Sequence, residues 1–195
     1  MTTASRPRLL TAEEFMHLPD DPEGRRMELF DGEVIHMPPP AFQHGVFARR
    51  VFRALDAFVE AHELGVVQFE TGFLLRENPD RIVAPDVYWI DAATLAKAGE
   101  PIGYFPGPPT LAIEVISPSD LERDSEMKAQ EYLTAGAKRV WLVRPAGRSI
   151  TVHRPNGDSH RFVEGGILTS DDAGFPVEGF SLPVADVFPA TVPGA

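Results

Sequence analysis

The sequence contains no cysteine. That excludes a disulfide framework, Cys-ligated zinc, iron–sulfur clusters and thiol catalysis. No apolar run approaches the ~20 residues needed to cross a bilayer, so no membrane partner is expected. The first eight residues, Met1-Thr-Thr-Ala-Ser-Arg-Pro-Arg8, lack the apolar stretch of a signal peptide, and a soluble, cytoplasmic protein is the expectation. Repeats, low-complexity tracts and internal linkers are also missing. The 195 residues suit one domain, expected to span 1–195 with an ordered core over about 10–188. Positive charge is scarce: 18 Lys and Arg face 29 Asp and Glu, for a net charge of −11. Such acidity argues against a protein that coats nucleic acid by bulk electrostatics. The basic residues are nevertheless clustered. Between residues 136 and 161, Lys138, Arg139, Arg144, Arg148, Arg154 and Arg161 stand against one acid, Asp158. This window reads either as the solvated side of a sheet or as a patch for an anionic partner.

What is present alternates between helical and strand-like patterns. Thr11 and Glu14 have capping-box spacing and open a short helix. Residues 26–37 read as a hairpin turning at Asp31-Gly32. Phe47, Val51, Leu55 and Phe58 recur at helical spacing in an amphipathic helix over about 41–63, closed by Gly65. Residues 66–75 and 82–90 are strand-like, with a turn at 76–80, and a short helix follows over about 92–98. Four prolines in 100–109 predict an irregular loop. Residues 110–116 form the most strand-like run, followed by a helix over 120–135 capped by Ser117-Pro-Ser119 and ended by Gly136. Residues 139–143 then read as a buried strand, so 110–143 is a βαβ crossover with two parallel strands. Asn156-Gly157 marks a hairpin, and the last ~30 residues read as a turn-rich meander and tail with few regular elements.

Three acids sit in apolar strands. Alternation puts Ala112, Glu114 and Ile116 on one face and Leu111, Ile113 and Val115 on the other, so Glu114 is the polar exception in a strand apolar on both sides. Burying it requires a cation, a basic side chain or an open cleft. Asp86 repeats the pattern among Ile82, Ala84, Tyr88 and Ile90. Pro85 beside it marks an edge, bulge or bend, and Pro-Asp is equally a turn dipeptide. Glu28 lies among Met27, Leu29 and Phe30 and by itself reads as a solvated strand residue. Taken together, three carboxylates in a cleft are the hard ligands that Mg²⁺ or Mn²⁺ prefers, which suggests a metal-dependent hydrolytic site. Lys128 and Tyr132 share a helical face as i and i+4. The lysine either points at the carboxylates or lies at the surface beside Asp124 or Glu131.

The motifs Met27-Glu-Leu-Phe-Asp-Gly-Glu33, Pro85-Asp-Val, Ile113-Glu-Val-Ile-Ser-Pro-Ser119, Lys128 to Tyr132 with Ala135-Gly136, and Val140-Trp-Leu-Val143 occur in this order. Over residues 10–188 or so, the chain resembles the Uma-two family of endonucleases, within the PD-(D/E)XK, restriction-endonuclease-like superfamily. The resemblance implies an α/β fold with a mixed central β-sheet flanked by helices, restriction-endonuclease-like, carrying an extra C-terminal β-hairpin or meander. It implies Asp86 and Glu114 as catalytic metal ligands, Glu28 completing the acidic cluster, and Mg²⁺ or Mn²⁺ as cofactor. The superfamily places a lysine two residues after the second acid, where this chain has Ile116; Lys128 on the following helix is the match. His44 falls where relatives place a histidine, and with Arg49 and Arg53 it is a candidate for substrate contact. The function implied is Mg²⁺-dependent hydrolysis of phosphodiester bonds in DNA, with a homodimer as the superfamily expectation. Two alternatives stand beside it: a catalytically silent nuclease-fold protein that binds nucleic acid or a protein partner, and a domain whose acids are only structural.

Overall fold

The computed structural model describes residues 8–99, 101–118 and 120–189. Thr11 and Glu14 form the reciprocal capping box that opens α1 (Ala12–Met16). The hairpin of β1 (Arg26–Phe30) and β2 (Glu33–Met37) turns at Asp31 and Gly32, both at positive φ (52° and 81°), as a tight two-residue hairpin requires. The long helix α2 (Phe42–Ala61) buries Phe47, Val51 and Leu55 of the expected stripe, with Val59 fully buried where Phe58 was expected and Phe58 partly buried against the core. It leads through Gly65 into β3 (Gly65–Gln68). Gly65 is obligatory there: a Cβ would lie 2.1 Å from the carbonyl oxygen of Ile90 on the neighbouring strand.

Two strand expectations are corrected. Residues 66–75 divide into β3 and β4 (Phe73–Arg76), and residues 82–90 divide into β5 (Arg81–Val83) and β6 (Val87–Asp91). In each case one half joins a five-stranded sheet and the other a six-stranded sheet. Pro85, which has no N–H to give to a ladder, marks the break between β5 and β6. Helix α3 (Ala92–Ala98) is capped by the Asp91 side chain on the N–H of Thr94. The proline-rich loop is less irregular than expected, because β7 (Phe105–Pro106) pairs parallel with β4 inside it.

β8 (Leu111–Val115), α4 (Glu122–Ala135) and β9 (Arg139–Arg144) form the expected parallel crossover, with Gly136 in the left-handed conformation closing the helix. Helix α4 starts at Glu122, its N-cap Leu121 provides no side-chain cap, and Ser119 lies outside the described residues. β10 (Ser149–His153) and β11 (Ser159–Val163) extend the sheet as the hairpin the sequence signalled. The five-stranded sheet runs β2-β1-β5-β4-β7, and the six-stranded mixed sheet runs β11-β10-β9-β8-β6-β3.

Helices flank the six-stranded sheet. On one face, α2 packs over Val87, Trp89, Leu111, Ile113, Val115 and Trp141. On the other, Ala129, Tyr132 and Leu133 of α4 pack over Tyr88, Ala112, Val140 and Leu142. The C-terminal stretch does more than a tail would. β12 (Ile167–Thr169), α5 (Ser170–Ala173), β13 (Ser181–Pro183) and α6 (Val184–Val187) place Phe175, Phe180, Leu182, Val187 and Phe188 in the core under α2. The indole N–H of Trp141 donates to the carbonyl of Asp172 at 2.8 Å and ties this stretch to β9.

Candidate active site

The break at Pro85 decides where the acids meet. β6 runs antiparallel to β8 with Val87 opposite Ile113, so one residue further along this register sets Asp86 opposite Glu114. The Asp86 Oδ2 accepts the backbone N–H of Val115 at 2.8 Å, which fixes the carboxylate at the end of the six-stranded sheet. Glu28 arrives from β1 in the other sheet, where its Oε1 accepts the N–H of Ala84 at 3.3 Å. Helix α4 crosses behind both. Its Lys128 Nζ lies 2.9 Å from Glu28 Oε1 and 3.0 Å from Glu114 Oε1, and one turn later the Tyr132 hydroxyl donates to Glu114 Oε1 at 2.7 Å. From α2, His44 Nε2 meets Asp86 Oδ2 at 3.1 Å. The sequence candidates Asp86, Glu114, Glu28, Lys128 and His44 are therefore brought together from the β5–β6 break and four elements, β8, β1, α4 and α2. The surface-lysine alternative fails, since Glu131 pairs with Arg81 and Lys128 with the buried acids.

Asp86, Glu114 and His44 line a cleft of about 570 Å³, together with Arg26, Glu70 and the Pro38–Pro40 segment. Burial pushes the Glu114 carboxyl up to about 7; Lys128 opposes this, while Asp86 and Glu28 add to it. Burial works to lower Lys128, but Glu114 and Glu28 outweigh it and hold the ammonium charged. Burial likewise works to raise Asp86, and the hydrogen bond from His44 turns it down; the same bond raises His44. Glu28 and Glu114 thus share one ammonium.

Among the described residues, no three His, Asp or Glu side chains are arranged to hold one metal ion. Glu28, expected as a third ligand, is engaged with Lys128 and does not line the cleft. Asp86 and Glu114 fit a divalent ion as a pair. They are hard donors opposite one another in one cleft, and Mg²⁺ is commonly held by one or two carboxylates with water and substrate phosphate completing its shell.

Arg49 and Arg53 are not brought to the site. Along α2 they point away from the buried stripe that carries His44, and they border a separate hollow with Ser181 and Asp186. Sequence reasoning missed Arg26, whose Nη1 lies 3.6 Å from Asp86 Oδ1. The signal was available, since Arg26 is two residues before Glu28 in β1 and therefore on the same face.

The basic window is not an open anion patch. Lys138 pairs with Asp91, Arg139 with Asp171, Arg144 with Glu122 and Glu126, Arg148 with Glu164, and Arg154 with Asp171 and Asp172. Arg161 donates to the Ser149 hydroxyl. Acids outside the window pair with five of its six cations, which weighs against its reading as a patch for an anionic partner.

A family model described as "Putative restriction endonuclease", Uma2, matches residues 12–185. The chain belongs to the Uma2 family. No curated protein matches it. A crystal structure from Anabaena variabilis, described as a "putative nuclease", matches with a TM-score of 0.76 at 20% identity, covering 92% of this chain and 97% of that one. The Uma2 chain and this neighbour share one mixed α/β architecture of sheets flanked by helices, as the sequence resemblance implied.

Proposed function

We propose that the protein is a divalent-metal-dependent endonuclease that hydrolyses phosphodiester bonds in DNA. The observation that carries this reading is Lys128 Nζ held between Glu28 and Glu114, with Glu114 and Asp86 lining one cleft. Family membership supports nuclease chemistry; the metal and the DNA substrate are our inference from the cleft.

Asp86 and Glu114 would hold Mg²⁺ or Mn²⁺, which when bound polarises the scissile phosphate and makes a water molecule more acidic. Asp86 is kept ionised and aimed by the N–H of Val115 and by His44. Glu114 is aimed by Tyr132 and Lys128. An ammonium has three donors, and two on Lys128 are occupied by carboxylates, so the third serves the attacking water or a phosphate oxygen. Glu28 is a positioning residue that fixes the lysine. Arg26, close to Asp86, is suited to a phosphate oxygen of the bound strand.

The test is cleavage of single-stranded, duplex and branched DNA with Mg²⁺, Mn²⁺ or EDTA, comparing the wild type with Asp86→Ala and Glu114→Ala. Metal-dependent cutting in the wild type that disappears in both variants is expected. Undiminished cutting in both removes the site assignment. Metal binding without any cutting favours the silent-binder alternative.

A further inference from the structure

The rim of the cleft bears on the form of DNA it accepts. The cations from 136 to 161 have partners, as described above. Arg25, on the cleft wall, is held by Asp21 at 3.0 Å and Glu23 at 3.5 Å. Arg26 is the cleft cation with the loosest carboxylate contact. Among the described residues few free cations line the cleft, so counterion release there contributes little, although it supplies most of the affinity in ordinary duplex binding.

Exposed apolar side chains instead adjoin lining residues of the cleft along the chain. Phe42, between the lining residues Ala41 and His44, is 77% exposed. Leu121, beside the lining residue Asp120, is 62% exposed, and Phe69, beside the lining residue Glu70, is 45% exposed. The N–H of Glu70 donates to the carbonyl of Pro85 at 3.2 Å, which sets Phe69 next to the segment carrying Asp86. The Phe69 ring is stacked on Phe52 with 4.2 Å between centroids, so its open face is already ordered. Phe42 opens α2 one residue after Pro38–Pro40, whose fixed φ angles stiffen the approach to the helix.

We infer that Phe42 and Phe69 form a stacking platform for unpaired bases, so that the substrate is single-stranded DNA or the unpaired arm of a structured DNA. This inference rests on the reading of the cleft as a nuclease site. Bases within a duplex stack on one another and have no free face, whereas an unpaired base of any identity offers one to an aromatic ring. Stacking thereby supplies the affinity that the acidic surface withholds.

Fluorescence anisotropy in EDTA, with the full chain and a dye-labelled mixed-sequence oligonucleotide either alone or annealed to its complement, tests this. The single strand is expected to bind on the order of tenfold tighter than the duplex. Phe42→Ala and Phe69→Ala should each weaken strand binding on the order of tenfold, leave duplex binding unchanged, and be rescued by Phe42→Trp and Phe69→Trp. Equal affinity for the two forms overturns the inference, as does strand binding indifferent to both alanine variants. So does dissociation of a dimer by Phe42→Ala with strand affinity intact. Cleavage is read separately. Metal-dependent cutting of duplex as fast as single strand overturns the platform and leaves the nuclease reading standing. Strand binding that depends on Phe42 and Phe69, without cutting in any metal, removes the nuclease reading and leaves the platform.

Discussion

Lys128 Nζ lies 2.9 Å from Glu28 Oε1, although the two residues are 100 positions apart and belong to a helix and a strand of different layers. The same ammonium contacts Glu114, and all three side chains are nearly enclosed. Replacing the lysine by methionine keeps the length of the side chain and strands two buried carboxylates. The Lys128→Met protein is expected to lose about 3–5 kcal/mol of stability by urea unfolding at neutral pH. A loss below about 1 kcal/mol, the value of a surface pair, would mean that the three groups are not coupled.

Divalent ions should stabilise the fold through Asp86 and Glu114. At about a hundredfold excess over the dissociation constant, Mg²⁺ or Mn²⁺ is expected to add about 2.7 kcal/mol. Asp86→Asn retains the acceptor for the Val115 N–H but removes the charge, and should abolish the gain. Thermal melts with metal and with EDTA measure both; an equal gain in the variant would place the ion elsewhere.

Arg49 and Arg53 point away from the cleft, so the double substitution to alanine should leave cleavage within about twofold of the wild type, as expected for surface changes remote from a site. Arg26→Ala, by contrast, should reduce cleavage at least tenfold, in line with the loss of a charge-assisted phosphate contact. The reverse ranking in a single-turnover assay would move the substrate path to the outer face of α2.

His153 gives a pH signature independent of the cleft acids. Its Nε2 is buried without a hydrogen-bond partner among the described residues, 3.6 Å from Glu126. Burial holds the imidazole below its ordinary value; Glu126 opposes this and Arg144 reinforces it. The fold therefore prefers neutral His153. Its contribution is complete above the unfolded-state value of about 6.5 and is lost as the pH falls below it. His153→Gln should flatten the decline in unfolding free energy between pH ~7.5 and pH ~5 relative to the wild type. Superimposable profiles for the two proteins would exclude this residue.

The sequence by itself determined the local devices: the Thr11 capping box, the Asp31-Gly32 turn, the α2 stripe, the β8–α4–β9 crossover and the anomaly of Glu114 between apolar neighbours. Each is encoded by residues within a turn or two of one another, where propensity and side-chain periodicity act directly. It also carried the candidates Asp86, Lys128 and Glu28, together with the pairing of Lys128 and Tyr132 on one helical face. Only the tertiary structure decided what those groups do. That 82–90 is two strands serving two sheets follows from pairings with β1 and β8, not from its own composition. That Glu28 holds Lys128, that Arg26 rather than Arg49 reaches Asp86, and that acids from β6, α4 and α5 pair with cations of the basic window all depend on contacts between distant segments. Periodicity tells which way a side chain points from its own element, but a charge acquires its role from whatever the fold places opposite it.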